Sequence, residues 1–254
     1  MKSILLILTV ASLAVAQNAP QRKDRQVFFD FRADRKISAL KIPAATQKMV
    51  LSKVFRKYLT DQSQCREGFV NNVDDYLAAA RKAGQIVPAI VDMATGSFTA
   101  AGQTQTAYVI EVSECNASHA DNFGTKRVAI FSGPKLVADM DVDFKSAILR
   151  KEDLNGDGID ELLMTTGDMA QGTVTEMAEL VNFQNGRHNV IQDFGVVFLD
   201  ECASLAPGSK SKAAVLYSSG FAPGSMPTIG QDNYSASCRT PKRWRLLSHG
   251  KMPE

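Results

Sequence analysis

From Gly84 to the C-terminus the chain is a succession of short apolar runs rich in β-branched and aromatic residues. Turn residues separate them, and no stretch of helical periodicity long enough to serve as a crossover lies between them. That pattern disfavours a doubly wound parallel sheet, whose strands need helical connections. The expected strands are Ile86 to Val91, Ala107 to Val112, Arg127 to Phe131, Leu136 to Met140, Phe144 to Leu149, Glu161 to Thr165, Val174 to Phe183, Val190 to Leu199, Ala213 to Tyr217 and Trp244 to Leu247. Ser132-Gly133-Pro134 and Asn185-Gly186 are the clearest reversals. Asn-Gly tolerates the positive φ angles of a tight hairpin, so the strands flanking it are expected to pair antiparallel.

The residues before Gly84 read differently. Val50, Leu51, Val54, Phe55, Tyr58 and Leu59 recur at three- and four-residue steps behind Pro43, which predicts a helix from Pro43 to Leu59 with one buried stripe. Asn72 as a cap, Asp74 and Asp75 in the first turn and Gly84 at the exit predict a second helix from Asn72 to Ala83. Val27-Phe28-Phe29 is a short run at the start of the fold, and Ser97 to Thr106 and Pro207 to Lys212 are loop-like. The fold class is therefore α+β, with a small helical N-terminal portion and a mostly antiparallel sheet region. Residues 27–254 form one globular domain, with a helical part over 27–84 and a β-rich part over 85–254.

Ahead of that domain, Lys2 precedes the apolar run from Ile4 to Leu13, and Ala14-Val15-Ala16 offers small residues at a signal-peptidase spacing. The apolar stretch ends well short of the roughly 20 residues that span a bilayer. Residues 1–16 are expected to be a cleaved export signal and 17–26 a polar leader, giving a secreted or periplasmic product without a membrane span. In an oxidising compartment the even set Cys65, Cys115, Cys202 and Cys238 is expected to form disulfides. Of the three possible pairings, proximity in sequence favours Cys65 with Cys115 and Cys202 with Cys238. Lys and Arg total 29 against 27 Asp and Glu, so global charge gives no reason to expect a nucleic-acid partner.

Residues 153–161 read Asp-Leu-Asn-Gly-Asp-Gly-Ile-Asp-Glu. Side-chain oxygens at the first, third, fifth and ninth positions, from Asp153, Asn155, Asp157 and Glu161, can converge on a hard cation, with the Ile159 carbonyl contributing from the seventh. Gly156 and Gly158 permit the tight wrapping this needs. Clustered carboxylates repel one another, and a divalent cation offsets that repulsion. The irregular oxygen set suits Ca2+ better than Mg2+. Position twelve is Met164, where an EF-hand would place a bidentate Glu, and Glu161-Leu162-Leu163-Met164-Thr165 reads as a strand. The segment resembles the FG-GAP or VCBS-type repeat, in which Asp-x-Asn-Gly-Asp-Gly-x-x-Asp/Glu runs directly into a hydrophobic strand. The resemblance covers about residues 145–183 and implies a structural calcium site and a propeller-like sheet. A second acidic-glycine loop is missing from the sequence, so any propeller character is partial.

Other polar constellations carry weaker signals. Cys115, His119 and Asp121 have the chemistry for a metal or nucleophilic site, although a disulfide would remove Cys115 from it. Asp139, Asp141 and Asp143 share one face of an extended chain and are candidates to approach the calcium loop. The three histidines, His119, His188 and His249, stand far apart in sequence. Arg239, Lys242, Arg243, Arg245 and Lys251 surround Trp244, which is expected to anchor the terminal strand. Nucleophile-elbow, P-loop, dinucleotide and zinc-protease motifs are missing. The expectation is a secreted, calcium-stabilised structural or interaction domain with an unidentified extracellular or periplasmic partner. The alternative is a secreted hydrolase of a polysaccharide, peptide or ester in which calcium is structural.

Overall fold

The computed structural model describes residues 25–33, 40–66, 76–115, 125–142, 147–204, 208–241 and 243–252. The expected export signal, most of the leader, His119, Asp121 and Asp143 lie outside them. The described chain is α+β and dominated by antiparallel sheet. Two helices, α1 (Ala44–Val54) and α2 (Tyr76–Ala83), accompany strands β1 (Gln26–Asp30), β2 (Ile86–Gly96), β3 (Gln105–Glu114), β4 (Thr125–Ser132), β5 (Lys135–Asp141), β6 (Ala147–Glu152), β7 (Glu161–Ala170), β8 (Thr173–Asn182), β9 (Asn189–Asp200), β10 (Lys210–Ser219), β11 (Thr228–Ser237) and β12 (Arg245–His249). A four-stranded sheet has the order β2-β3-β4-β5, and an eight-stranded sheet runs β12-β11-β10-β9-β8-β7-β6 with β1 added against β10.

Alternation along the strands distributes the core between layers. Val50 and Leu51 of α1, Phe55 just after it and Ala80 of α2 pack with Tyr108, Ile110, Val112, Ala129 and Phe131 on one face of the small sheet. The opposite face presents Ala107, Val109, Val128 and Ile130 to Leu162, Met164, Val181 and Phe183 of the large sheet's side. Beyond that interface, Leu163, Leu180, Phe194, Val197, Leu216 and Ile229 form a third cluster with Phe28 and Phe31. Strand β7 is thus buried on both sides, which explains its unbroken Leu-Leu-Met run. Each such side chain contributes about 1.5–3 kcal/mol by burial.

Several elements differ from their sequence expectations for identifiable reasons. Helix α1 ends at Val54 because Phe55 is already extended, and the Leu59 N–H donates to the Ile86 carbonyl, drawing 55–59 alongside β2. The described part of the second helix starts at Tyr76. Strands β8 and β9 pair antiparallel as expected, but their connection is a six-residue loop rather than a two-residue turn, with Asn185 and Gly186 both at positive φ inside it. A two-residue reversal occurs instead at Gln171-Gly172, where Ala170 pairs with Thr173. That hairpin extends β7 five residues past Thr165. Strand β11 has no counterpart among the expected strands. Its sequence Thr-Ile-Gly-Gln-Asp-Asn-Tyr-Ser-Ala-Ser carries little apolar signal, and buried Gln231, Asp232 and Asn233 occupy its centre.

Both disulfides follow the pairing favoured by proximity. Cys65 bonds Cys115 and Cys202 bonds Cys238, with Cα separations of 5.3 and 5.4 Å. Trp244 is partly buried against the third cluster, immediately before β12.

Candidate functional site

The calcium-like sequence is the connection between β6 and β7, paired at its base through Glu152 and Glu161. Two buried side chains, Leu154 and Ile159, pin the loop to the protein from within. Gly156 and Gly158 take φ of 74° and 84°, the left-handed conformation that glycine adopts without Cβ strain. These turns fold the chain around the first residue. Asp153 Oδ1 accepts the Gly156 and Asp157 N–H groups at 2.8 and 3.1 Å, and its Oδ2 accepts the Gly158 N–H at 2.9 Å. Asn155 Oδ1 accepts the Asp157 N–H at 2.9 Å, and Asp157 Oδ1 accepts the Ile159 N–H at 2.8 Å. Successive side chains are thereby held by the loop's own backbone.

Glu161 closes the set. It is the first residue of β7, only 1 % exposed, and one carboxylate oxygen accepts the Leu154 N–H at 2.9 Å. Its other oxygen, Oε1, is buried with no hydrogen-bond partner. Burial pushes its pKa up to about 7; the Leu154 N–H opposes the rise and the Asp157 and Asp153 carboxylates add to it. Glu161 therefore feels both aspartates. Among the described residues, however, no three His, Cys, Asp or Glu side chains are gathered closely enough to form a metal cage.

The fourth carboxylate of the loop does something the spacing did not reveal. Asp160 faces away, its Oδ2 accepting the Ser97 N–H at 2.7 Å while Lys151 reaches its Oδ1 at 3.4 Å. The Asp160 N–H donates to the Ser97 carbonyl at 2.7 Å, so the β2–β3 connection is tied to the acidic loop twice. A Cβ placed on Gly158 would lie 2.9 Å from the Ala101 Cβ of that same connection. On another side the Gly224 N–H, from the β10–β11 connection, donates to the Asn155 carbonyl at 2.8 Å. Sequence alone carries no signal for these long-range ties, although the alternation of Asp160 with Glu161 along an incipient strand hints that they face opposite ways.

Several described members of the other constellations have partners of their own. Cys115 is consumed by its disulfide. Asp139 and Asp141 are engaged by arginines: Arg127 pairs with both, at 2.7 and 2.8 Å, and Arg81 also reaches Asp141 at 3.3 Å. His188 stacks on Phe183, whereas the His249 Nδ1 lies 2.7 Å from Asp232 Oδ1, an oxygen that Arg25 also reaches at 2.9 Å. Among the described residues, no Ser, Thr or Cys side chain bonds to the His249 ring. No helix among them is long and apolar enough to cross a membrane. No protein family, curated protein or solved structure matches the chain.

Proposed function

We propose that the protein is a secreted domain stabilised by Ca2+ at the 153–161 loop and serving a structural or extracellular interaction role. Asp153, Asn155, Asp157, the Ile159 carbonyl and Glu161 supply the ligands. The observation that carries this reading is the Glu161 carboxylate, buried at the head of β7 with one oxygen lacking a partner. An unpaired buried carboxylate is costly, and a divalent cation beside Asp153 and Asp157 would supply the missing positive charge. The donor set is all oxygen, as Ca2+ prefers, and water can complete its six to eight ligands. Resemblance to the FG-GAP or VCBS-type repeat supports the same assignment through an acidic-glycine loop leading into a buried strand. Export follows from the character of residues 1–16, and the two disulfides are consistent with an oxidising compartment.

Thermal unfolding with increasing CaCl2 tests the proposal. Calcium at about 100 times its Kd should stabilise the wild type by about 2.7 kcal/mol. Asp153→Ala and Asp157→Ala should lose most of that gain, and equal responses in all three proteins would overturn the assignment.

A further inference from the structure

A polar surface depression lies at the β8–β9 connection, and it is independent of the calcium reading. This open cavity has a volume of about 550 Å³ and is lined by Asn182, Gln184, Asn185, Arg187 and Asn189, all of them exposed except half-buried Asn182. Its volume is within the range of small-ligand sites, but its chemistry is unlike the apolar norm. The described lining side chains are four carboxamides and one guanidinium, with no carboxylate and no hydrocarbon side chain. We propose that this cavity binds an acidic oligosaccharide, the amides taking ring hydroxyls and Arg187 taking a sugar carboxylate.

Each carboxamide presents a carbonyl acceptor and an NH2 donor in one plane, which matches neighbouring hydroxyls that each donate and accept. The site is partly organised already. Asn189 Nδ2 donates to Asn182 Oδ1 at 3.0 Å and to the Arg187 carbonyl at 3.1 Å, fixing two amides against each other. The Asn182 NH2 and the Asn189 carbonyl then remain as an adjacent donor and acceptor. An apolar ligand would strand these groups, whereas a polyhydroxylated one replaces the water they lose. Arg187 is exposed and makes no ion pair with another described residue, so its fork is available for bidentate recognition of a carboxylate.

The scaffold beneath is packed and hydrogen-bonded. Phe183 is fully buried and stacked against His188, the Asn185 N–H donates to the Thr99 carbonyl at 3.0 Å, and the Gly186 N–H donates to the Phe183 carbonyl at 2.9 Å. A Cβ at Gly186 would approach the Ala138 side chain of β5 to 3.3 Å, so this loop of the large sheet is seated against the small one. Glycoside cleavage ordinarily requires two carboxyl groups flanking the bond, and the described lining residues supply none, so the proposal is one of binding.

The exported protein, in calcium-containing buffer at physiological salt, is applied to an array of uronate-terminated, sialate-terminated and neutral oligosaccharides. Affinity for the best ligand is then measured by calorimetry for the wild type, Arg187→Ala, Arg187→Lys and Gln184→Ala. Uronate- or sialate-bearing members should bind in preference to neutral ones. Arg187→Ala should weaken binding about tenfold or more, since a hydrogen bond to a charged group is lost, and Arg187→Lys should weaken it less. All three substitutions fall on exposed loop positions, and unchanged melting temperatures would show that the fold is intact. Failure of every acidic glycan to bind, equal binding of neutral glycans, or binding unaffected by Arg187→Ala would each overturn the proposal.

Discussion

Glu161 concentrates the physical tension of the molecule in one carboxyl. Burial and the neighbouring Asp157 and Asp153 raise its pKa from 4.5 to about 7, so the folded chain holds this proton more tightly than the unfolded chain does. In chelator, its contribution to stability is therefore full below about pH 4.5 and is lost as pH rises through about 7. Unfolding in EDTA across pH 4–8 should show this decline, and Glu161→Gln should flatten it. At pH 8 without calcium the variant should be more stable than the wild type by about 1–3 kcal/mol, because a buried unpaired charge has been removed. Its calcium response should fall at the same time. A substitution that helps the metal-free protein while impairing the metal response separates a ligand from an ordinary core residue.

At the level of elements, the acidic loop is also a joint. It is held by the β2–β3 connection through Ser97 and by the β10–β11 connection through Gly224, while Gly158 sits against Ala101. Gly158→Ala combines a left-handed backbone with a Cβ contact of 2.9 Å, and should destabilise the protein by about 1–3 kcal/mol in chemical denaturation. Adding Ala101→Gly should recover only the steric part. What was legible in sequence here was local: the spacing of Asp153, Asn155, Asp157 and Glu161, the two glycines, and the strand that follows. The tie of Asp160 to Ser97 was not, because that partner is more than fifty residues away in the chain. Strand β11 was equally hidden. Its polar centre is satisfied by tertiary bonds, as when Asn233 donates to the Gly250 carbonyl at 2.7 Å, and hydropathy has no access to such partners. Helix α1 was placed correctly but drawn too long, since the pairing of Leu59 with β2 overrides the periodicity that continues past Val54.

Across the whole molecule, turn-separated apolar runs without crossover helices correctly indicated a mainly antiparallel α+β chain, whereas the division into two sheets depends on pairings no local pattern contains. One disulfide reinforces a place where those pairings are thin. Strands β9 and β10 pair only through Ser211 to Ala213, and Cys202–Cys238 bridges the ends of β9 and β11 across that narrow seam. Replacing both cysteines of this bridge by Ala should cost about 4 kcal/mol on loop-closure grounds, measurable as a shift in denaturation midpoint. Cys65–Cys115 closes a longer loop and should contribute a similar amount.

Where β9 leaves β10, strand β1 takes over the same edge, with Gln26 opposite Ser218 and Asp30 opposite Val215. The first strand to leave the ribosome must consequently wait for nearly the last before it has anywhere to dock. Until then Val27, Phe28 and Phe29 remain an unsheltered apolar run, so a nascent chain halted before β10 should be far stickier than the finished protein.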